Sequence, residues 1–177
     1  LDPILKISNL QTHFFTKAGV FKAVDGVSFE IGAGEIVGLV GESGSGKSIT
    51  GFSIIGLVDA PGKIVGGDIS FKGQNLNQLS NEQMQHYRGN RIAMIFQDPM
   101  MTLNSVLRIE TQMIEAIQAH DDSIAHEDAR IRARDALGLV GISSADERLR
   151  AYPHQFSGGM RQRVSIAIAM LNRPDLI

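Results

Sequence analysis

The chain lacks three features that mark well-known classes of protein. It contains no cysteine in 177 residues, which excludes a disulfide framework, a thiolate metal site and a thiol nucleophile. No segment approaches the roughly 18 consecutive apolar residues of a membrane-spanning helix. The formal net charge is −2, so the chain offers no positive field for a nucleic-acid backbone. We therefore expect a soluble, cytoplasmic protein with no nucleic-acid partner.

The apolar content is sufficient for one sizeable core. Hydrophobic residues make up 43% of the sequence, and the length is typical of a single domain. The five histidines are scattered, with no pair at a metal-ligand spacing, and we interpret them as ordinary surface or turn residues. The composition predicts one domain, with at most a subdomain.

The N-terminal part has the pattern of strands followed by a helix. Apolar residues alternate over 4–31, which predicts antiparallel strands. Residues 35–40 form a short apolar run typical of a strand buried on both faces. Over 48–58 the apolar positions cover most of a helical circumference, which predicts a deeply buried helix.

Further strands and a capped helix are predicted in the middle of the chain. A strand pair is expected around 64–65 and 68–71, with Gly66 and Gly67 as the bend. Ser80, with Gln83 three residues later, resembles a capping box that opens a short helix.

The second half is mostly helical. One more strand is predicted over 91–96, and three helical segments over 105–151. Ser144 and Glu147 form a second potential capping box, and 160–171 has the pattern of a buried helix.

The stretch G-E-S-G-S-G-K-S at 41–48 matches the phosphate-loop pattern G-x-x-x-x-G-K-S/T between a predicted strand and a predicted helix. Gly44 and Gly46 allow backbone N–H groups to point inward around an anion, and the new helix adds its positive end. Lys47 would reach the β- and γ-phosphates, and the Ser48 hydroxyl would complete a Mg²⁺ shell. The alternative is a glycine-rich turn with an incidental lysine. The candidate phosphate-binding residues are Gly41, Glu42, Ser43, Gly44, Ser45, Gly46, Lys47, Ser48 and Ile49.

Two further positions have weaker signals. Ser157-Gly158-Gly159 precedes a helix, where a serine cap and glycines would expose N–H groups to phosphate or would serve only as a cap. Gln97 follows a predicted strand, and its amide could donate to phosphate or accept from a metal-bound water. An ordinary loop residue is the alternative for Gln97.

Together, these three motifs resemble the Walker A motif, Q-loop and signature motif of ABC-transporter ATPases, in that order and over essentially the whole chain. The stretches I-F-Q-D-P-M-M-T-L-N-S and Y-P-H-Q-F-S-G-G-M-R-Q-R resemble the ATP-binding subunits of bacterial dipeptide, oligopeptide and nickel importers. Phe156 and Met160 stand where the common signature has leucine and glutamine.

The resemblance implies an α/β fold over 1–177, a P-loop NTPase core with an N-terminal antiparallel β subdomain and an inserted α-helical subdomain at about 100–160. Phe14 is then expected to stack on the adenine, with Phe15 as the alternative. Gln97 would bind Mg²⁺ and act with Lys47 in catalysis. Ser157, Gly158 and Gly159 would contact the nucleotide held by a partner subunit.

The same resemblance implies that ATP binding and hydrolysis drive uptake of peptides or a related small solute. The partners would be a second ABC ATPase subunit, as a homo- or heterodimer, and membrane permease subunits at the inner face of the cell membrane. Walker B and the catalytic glutamate are expected after Ile177, so we interpret the chain as an N-terminal fragment that binds ATP without appreciable turnover by itself.

Two other classes of protein remain as alternatives. One is a soluble ABC-type nucleotide-binding module without a transport role. The other is an unrelated P-loop GTPase or kinase, although no guanine-reading N-K-x-D motif follows the loop.

Overall fold

The computed structural model describes residues 2–177, which divide into two compact units. The first ends at Tyr87 and the second spans Arg88–Ile177. The elements of the first unit are β1 (Leu5–Thr16), β2 (Gly19–Ile31), α1 (Lys47–Ile54), β3 (Gly62–Phe71), β4 (Gln74–Asn75), a 3₁₀ turn (Leu76–Gln78) and α2 (Asn81–Gln85). Those of the second are a 3₁₀ turn (Pro99–Met101), α3 (Ile109–Gln118), α4 (His126–Leu139), α5 (Ala145–Leu149), a 3₁₀ turn (Pro153–Gln155) and α6 (Gly158–Met170).

The first unit is built on an antiparallel sheet with the strand order β2-β1-β3-β4. The central strand β1 pairs with β2 from Leu5 opposite Ile31 to Thr16 opposite Gly19, and with β3 as far as Phe14 opposite Gly62. The predicted antiparallel N-terminal strands are therefore confirmed. The buried apolar side chains of the sheet are Leu5, Ile7, Leu10, Val24, Ile69 and Phe71.

The predicted bend at Gly66-Gly67 is wrong, because β3 runs unbroken through both glycines. The pairing with β1 shifts register there, as in a β-bulge. Gly67 has φ +85°, and a Cβ at this position would collide with the backbone carbonyl of Asn9. The glycine allows the two backbones to approach closely within a continuous strand.

The helix predicted over 48–58 is shorter and less buried than expected. α1 ends at Ile54, and Gly56 just after it has φ +64°. The Gly56 N–H donates to the Ser53 carbonyl, and the Leu57 N–H donates to the Phe52 carbonyl at 2.8 Å. This is the Schellman motif of helix C-termini. The side chains that α1 buries are those of Thr50 and Ser53, so the prediction of a deeply buried apolar helix is wrong.

Residues 35–40, predicted as a strand buried on both faces, belong to no strand. Ile36 is 99% exposed and Val40 is 90% exposed. A strand requires a hydrogen-bonded neighbour. In the described part of the first unit, the sheet consists of the four strands β1, β2, β3 and β4, and residues 35–40 pair with none of them. The apolar pattern is present in the sequence, but no partner strand pairs with this segment within the unit.

The strand predicted over 91–96 is reduced to two isolated parallel bridges of Ile92, one with Arg88 and one with Leu176. The Asp175 and Leu176 N–H groups donate to the Arg91 carbonyl, and the Ala93 N–H donates to that of Leu176 at 2.9 Å. Each bridge joins a single pair of residues, which is too short for a ladder.

The second unit is helical and has its own core. The three helical segments predicted over 105–151 are confirmed as α3, α4 and α5. Ala129 and Ala133 of α4 are completely buried, which lets the neighbouring helices approach closely. The larger core side chains are Leu103, Ile109, Met113, Ile114, Ile117, Leu137, Ile142, Leu149, Phe156, Val164 and Leu171.

Of the two predicted capping boxes, one is present and one is not. The Ser80 hydroxyl accepts from the Gln83 N–H, and the Gln83 side chain accepts from the Ser80 N–H at 2.8 Å. Ser144 instead has φ +53° and makes no side-chain cap, so that prediction is wrong. A capping hydroxyl requires an extended backbone at the N-cap, which the left-handed conformation does not provide.

Two other expectations concern membranes and histidines. None of the helices between residues 2 and 177 is long and apolar enough to cross a membrane. In that range no group of three histidine, cysteine or acidic side chains could hold a metal ion. His13 lies in the central strand with only 12% of its side chain exposed, so the interpretation as a surface or turn residue is wrong for it.

Candidate functional site

The loop 41–48 forms a turn that leads directly into α1. The Ser45 N–H donates to the Glu42 carbonyl at 3.2 Å. Gly44 and Gly46 have φ angles of +81° and +90°, which side-chain-bearing residues rarely adopt. Residues 41–45 are exposed, so the loop is accessible to a ligand.

At Gly46 the end of this loop packs closely against β2. A Cβ at Gly46 would collide with the Ala23 carbonyl and would lie 3.5 Å from Cγ2 of Val24. The glycine is therefore needed for its backbone angle and also for close contact with the strand.

The Lys47 side chain is hydrogen-bonded to its own loop. Its ammonium donates to the carbonyls of Gly41 at 2.8 Å and Glu42 at 2.6 Å, and to the Ser45 hydroxyl at 3.2 Å. These bonds hold a positive charge against the loop backbone. The loop thus combines a fixed cation with an exposed backbone, which is the chemistry that binds phosphate.

The start of α1 has no side-chain cap. Its N-cap is Gly46, which has no hydroxyl or carboxylate to accept from the first N–H groups, and the first turn contains no acidic residue. Uncapped N–H groups and the helix dipole favour an anion at this end. The first-turn residue Ser48 is exposed, so its hydroxyl is available to a metal ion near that anion.

A buried pair of hydroxyls fixes α1 to the sheet. Thr12 of β1 and Ser53 of α1 lie 2.8 Å apart, and both residues are at most 2% exposed. The Ser53 hydroxyl also contacts the Ile49 carbonyl at 2.7 Å. Sequence analysis missed this pair, because a single threonine and a single serine 41 residues apart give no recognisable pattern.

The candidate stacking residues lie at the end of the β1-β2 hairpin. Phe14 is half-buried, and its Cε1 would lie only 2.8 Å from a Cβ added at Gly62, which indicates close packing on that glycine. Phe15 is 47% exposed. Phe21, which pairs with Phe14 in the strand register, is 60% exposed, and the sequence alone gave no reason to consider it beside Phe14.

The signature turn in the second unit opens α6 as predicted. The Ser157 hydroxyl accepts from the Met160 N–H at 3.3 Å, which confirms Ser157 as the N-cap. Ser157, Gly158 and Gly159 are all exposed. A Cβ added at either glycine would meet nothing within 4 Å, so the fold of this unit does not require glycine at these positions.

Gln97 is exposed, in a bend that precedes the 3₁₀ turn Pro99–Met101. The Asp98 carboxylate caps this turn by accepting from the Met100 N–H at 2.9 Å. The candidate residues are therefore divided between the units. The phosphate loop and the phenylalanines belong to the first unit, whereas Gln97 and the signature turn belong to the second.

Comparison with protein families gives one match, a model described as ABC transporter, over residues 24–177. Among curated proteins, the chain is 46% identical to a probable peptide ABC transporter ATP-binding protein of Sinorhizobium fredii, with 99% of this chain and 52% of that protein aligned. It is 47% identical to the oligopeptide transport ATP-binding protein AppD of Bacillus subtilis, with 100% and 54% aligned. It is 44% identical to the dipeptide transport ATP-binding protein DppD of Escherichia coli, with 98% and 53% aligned. The chain thus spans about half the length of these relatives.

Solved structures show the same fold. A dimeric, post-hydrolysis structure of the ATP-binding cassette MJ0796 with ADP and Pi superposes with a TM-score of 0.84 at 27% identity, over 96% of this chain and 70% of that one. The cbiO1 protein of Clostridium perfringens, part of the transporter complex cbiONQ, superposes with a TM-score of 0.73 at 25% identity, over 98% and 63%. These matches confirm the expected α/β fold of an ABC-type P-loop ATPase.

Proposed function

The chain belongs to the ABC transporter family, and on this premise we propose that it is the nucleotide-binding part of an importer's ATPase subunit. In that role ATP binding and hydrolysis drive uptake of peptides or a related small solute. The relatives named above carry peptide-transport names at 44 to 47% identity, which supports this function over that of a nucleotide-binding module without a transport role.

The observation that carries the proposal is the loop 41–48, which encloses the Lys47 ammonium beside the uncapped start of α1. A phosphate chain placed there meets backbone N–H groups, a helix N-terminus and one cation. No acidic side chain of the first helical turn opposes it.

In this proposal the backbone of residues 41–49 and the Lys47 ammonium hold the phosphates of ATP, and Phe14 or Phe15 holds the adenine. Ser48 and Gln97 supply oxygen ligands for Mg²⁺. The metal ion would neutralise charge on the phosphoryl group during its transfer to water. Gln97 would also sense the γ-phosphate, and the helical region at about 100–160 would carry the signature turn.

We propose that the partners are a second ATPase subunit, as a homo- or heterodimer, and permease subunits at the inner face of the membrane. The open space around Gly158 and Gly159 supports the first partner, since small residues without a role in their own fold suit close approach by another molecule.

Peptide uptake in cells tests the transport function. The Lys47→Ala change is made in the intact subunit, and uptake of a labelled dipeptide is compared with uptake of an unrelated sugar. We expect dipeptide uptake to be lost and sugar uptake to be unchanged. Normal uptake of several peptides by the variant would refute the importer role.

A second test addresses the signature turn. Gly158→Asp places a charged side chain where another subunit is proposed to approach, and a Cβ at this position meets no atom within 4 Å outside the helix's own backbone. We expect the variant to bind ATP normally and to lose ATP-driven dimerisation in light scattering. Wild-type dimerisation by Gly158→Asp would defeat the assignment.

A further inference from the structure

Phe156, the first residue of the signature stretch, is held on two sides. Its carbonyl accepts from the Nε of Arg161 at 3.0 Å. Its ring is 3% exposed, and the guanidinium carbon of Arg148 lies over it, 5.7 Å from the ring centroid. Arg148 belongs to α5 and Arg161 to α6, so two different helices fix the residue that immediately precedes Ser157.

The position of Arg148 is unusual for an arginine. Its Nε is buried and has no hydrogen-bond partner among the described residues. A buried N–H without an acceptor costs free energy, and contact of the cation with an aromatic face offsets part of that cost. The ring of Phe156 thus supplies this guanidinium with a favourable contact.

We propose that Arg148 is a positioning residue for the signature turn, acting through the ring of Phe156. By fixing that ring, Arg148 sets the direction of the backbone at Ser157 and of the N–H groups that follow it. The inference rests on the proposed function, in which this turn contacts the nucleotide of a second subunit. A leucine, common at this position in ABC ATPases, has no aromatic face, so this role depends on phenylalanine at position 156.

A purely structural role for Arg148 makes a different prediction. In that case its loss would lower the stability of the second unit, and the folded protein would dimerise normally. Arg130 is the matched control, since it joins three helices of the same unit without contacting Phe156. Arg130→Met should lower stability and leave dimerisation of the folded protein unchanged.

The experiment uses the intact subunit with Mg²⁺ and a non-hydrolysable ATP analogue. Nucleotide affinity is measured by calorimetry and the dimer dissociation constant by analytical ultracentrifugation. We expect Arg148→Met to weaken dimerisation about tenfold with nucleotide affinity unchanged. Arg148→Lys, which retains a cation, should recover most of the loss.

A double-mutant cycle tests the coupling directly. In a Phe156→Leu background the aromatic face is absent, so Arg148→Met should then change dimerisation by less than about twofold. Equal losses in both backgrounds would overturn the inference, as would an effect of Arg148→Met no larger than that of Arg130→Met. A wild-type subunit that binds nucleotide but never dimerises would instead refute the proposed partner, and the role of Arg148 with it.

Discussion

Gly46 is the residue on which the shape of the phosphate loop depends most. Its φ is +90°, and a Cβ there would collide with the Ala23 carbonyl of β2. Gly44 has a similar φ of +81°, but a Cβ there would meet nothing within 4 Å. The two glycines therefore separate the cost of backbone strain from that of steric collision.

We predict that Gly46→Ala destabilises the protein more than Gly44→Ala. The left-handed conformation costs alanine about 1 to 2 kcal/mol at either position. The collision at Gly46 adds about 1 to 3 kcal/mol, because rigid backbone must move. Urea unfolding, monitored by circular dichroism, measures the free energy of unfolding of both variants. Equal losses of stability would show that the loop does not pack against β2.

The role of the hairpin phenylalanines can also be tested at single residues. We predict that Phe14→Ala weakens ATP binding by about 1 to 3 kcal/mol, as expected for loss of stacking on a base. Phe15→Ala should have little effect. Inorganic triphosphate, which has no base, should bind wild type and Phe14→Ala equally, and a larger loss of ATP affinity in Phe15→Ala would transfer the role to Phe15.

At the scale of elements, Arg130 of α4 connects three helices. It pairs with Glu110 of α3 at 3.1 Å and with Asp146 of α5 at 2.9 Å, and 19% of its side chain is exposed. Among the described residues, Arg134 on the same helix forms a salt bridge only with its neighbour Asp135, and 40% of its side chain is exposed. The Arg130 pairs join separate helices, whereas the Arg134 pair lies within one helix.

We predict that Arg130→Met lowers the free energy of unfolding by about 1 to 3 kcal/mol, since the largely buried Glu110 carboxylate and the exposed Asp146 carboxylate both lose a charged hydrogen bond. Arg134→Met should change it by less than about 0.5 kcal/mol, as is usual for exposed pairs. Chemical denaturation of both variants is the measurement. Similar values for the two would mean that the contacts between α3, α4 and α5 contribute little.

Several helical elements were predicted correctly from local sequence, whereas two predicted strands that depend on a distant partner did not form. The helices α3 to α5 and the capping box at Ser80 follow from residues a few positions apart. The segment 35–40 has the pattern of a strand, yet strand formation depends on a neighbour that its own sequence does not specify. The end of α1 could have been predicted from Gly56, which is suited to the position after a helix.

For the whole molecule, the motifs indicated the family more directly than any single contact. The loop 41–48, Gln97 and the Ser157 turn follow the order of the ABC ATPases, and the family match covers residues 24–177. The contacts that support these motifs were not predictable, since Thr12 with Ser53 and Arg148 with Phe156 join separate elements without a sequence signal. The sequence thus predicts the candidate site, and the structure adds the contacts that hold these residues in place.

The most direct test of nucleotide binding at this loop is calorimetric titration of the intact protein with ATP and Mg²⁺. We predict saturable binding by wild type and affinity about 10 to 100 times weaker in Lys47→Ala, because a charged contact to phosphate is lost. Lys6→Ala, which removes an exposed charge paired with Glu30 in the same unit, is the control and should bind as wild type does. Equal affinities of wild type and Lys47→Ala would contradict the account.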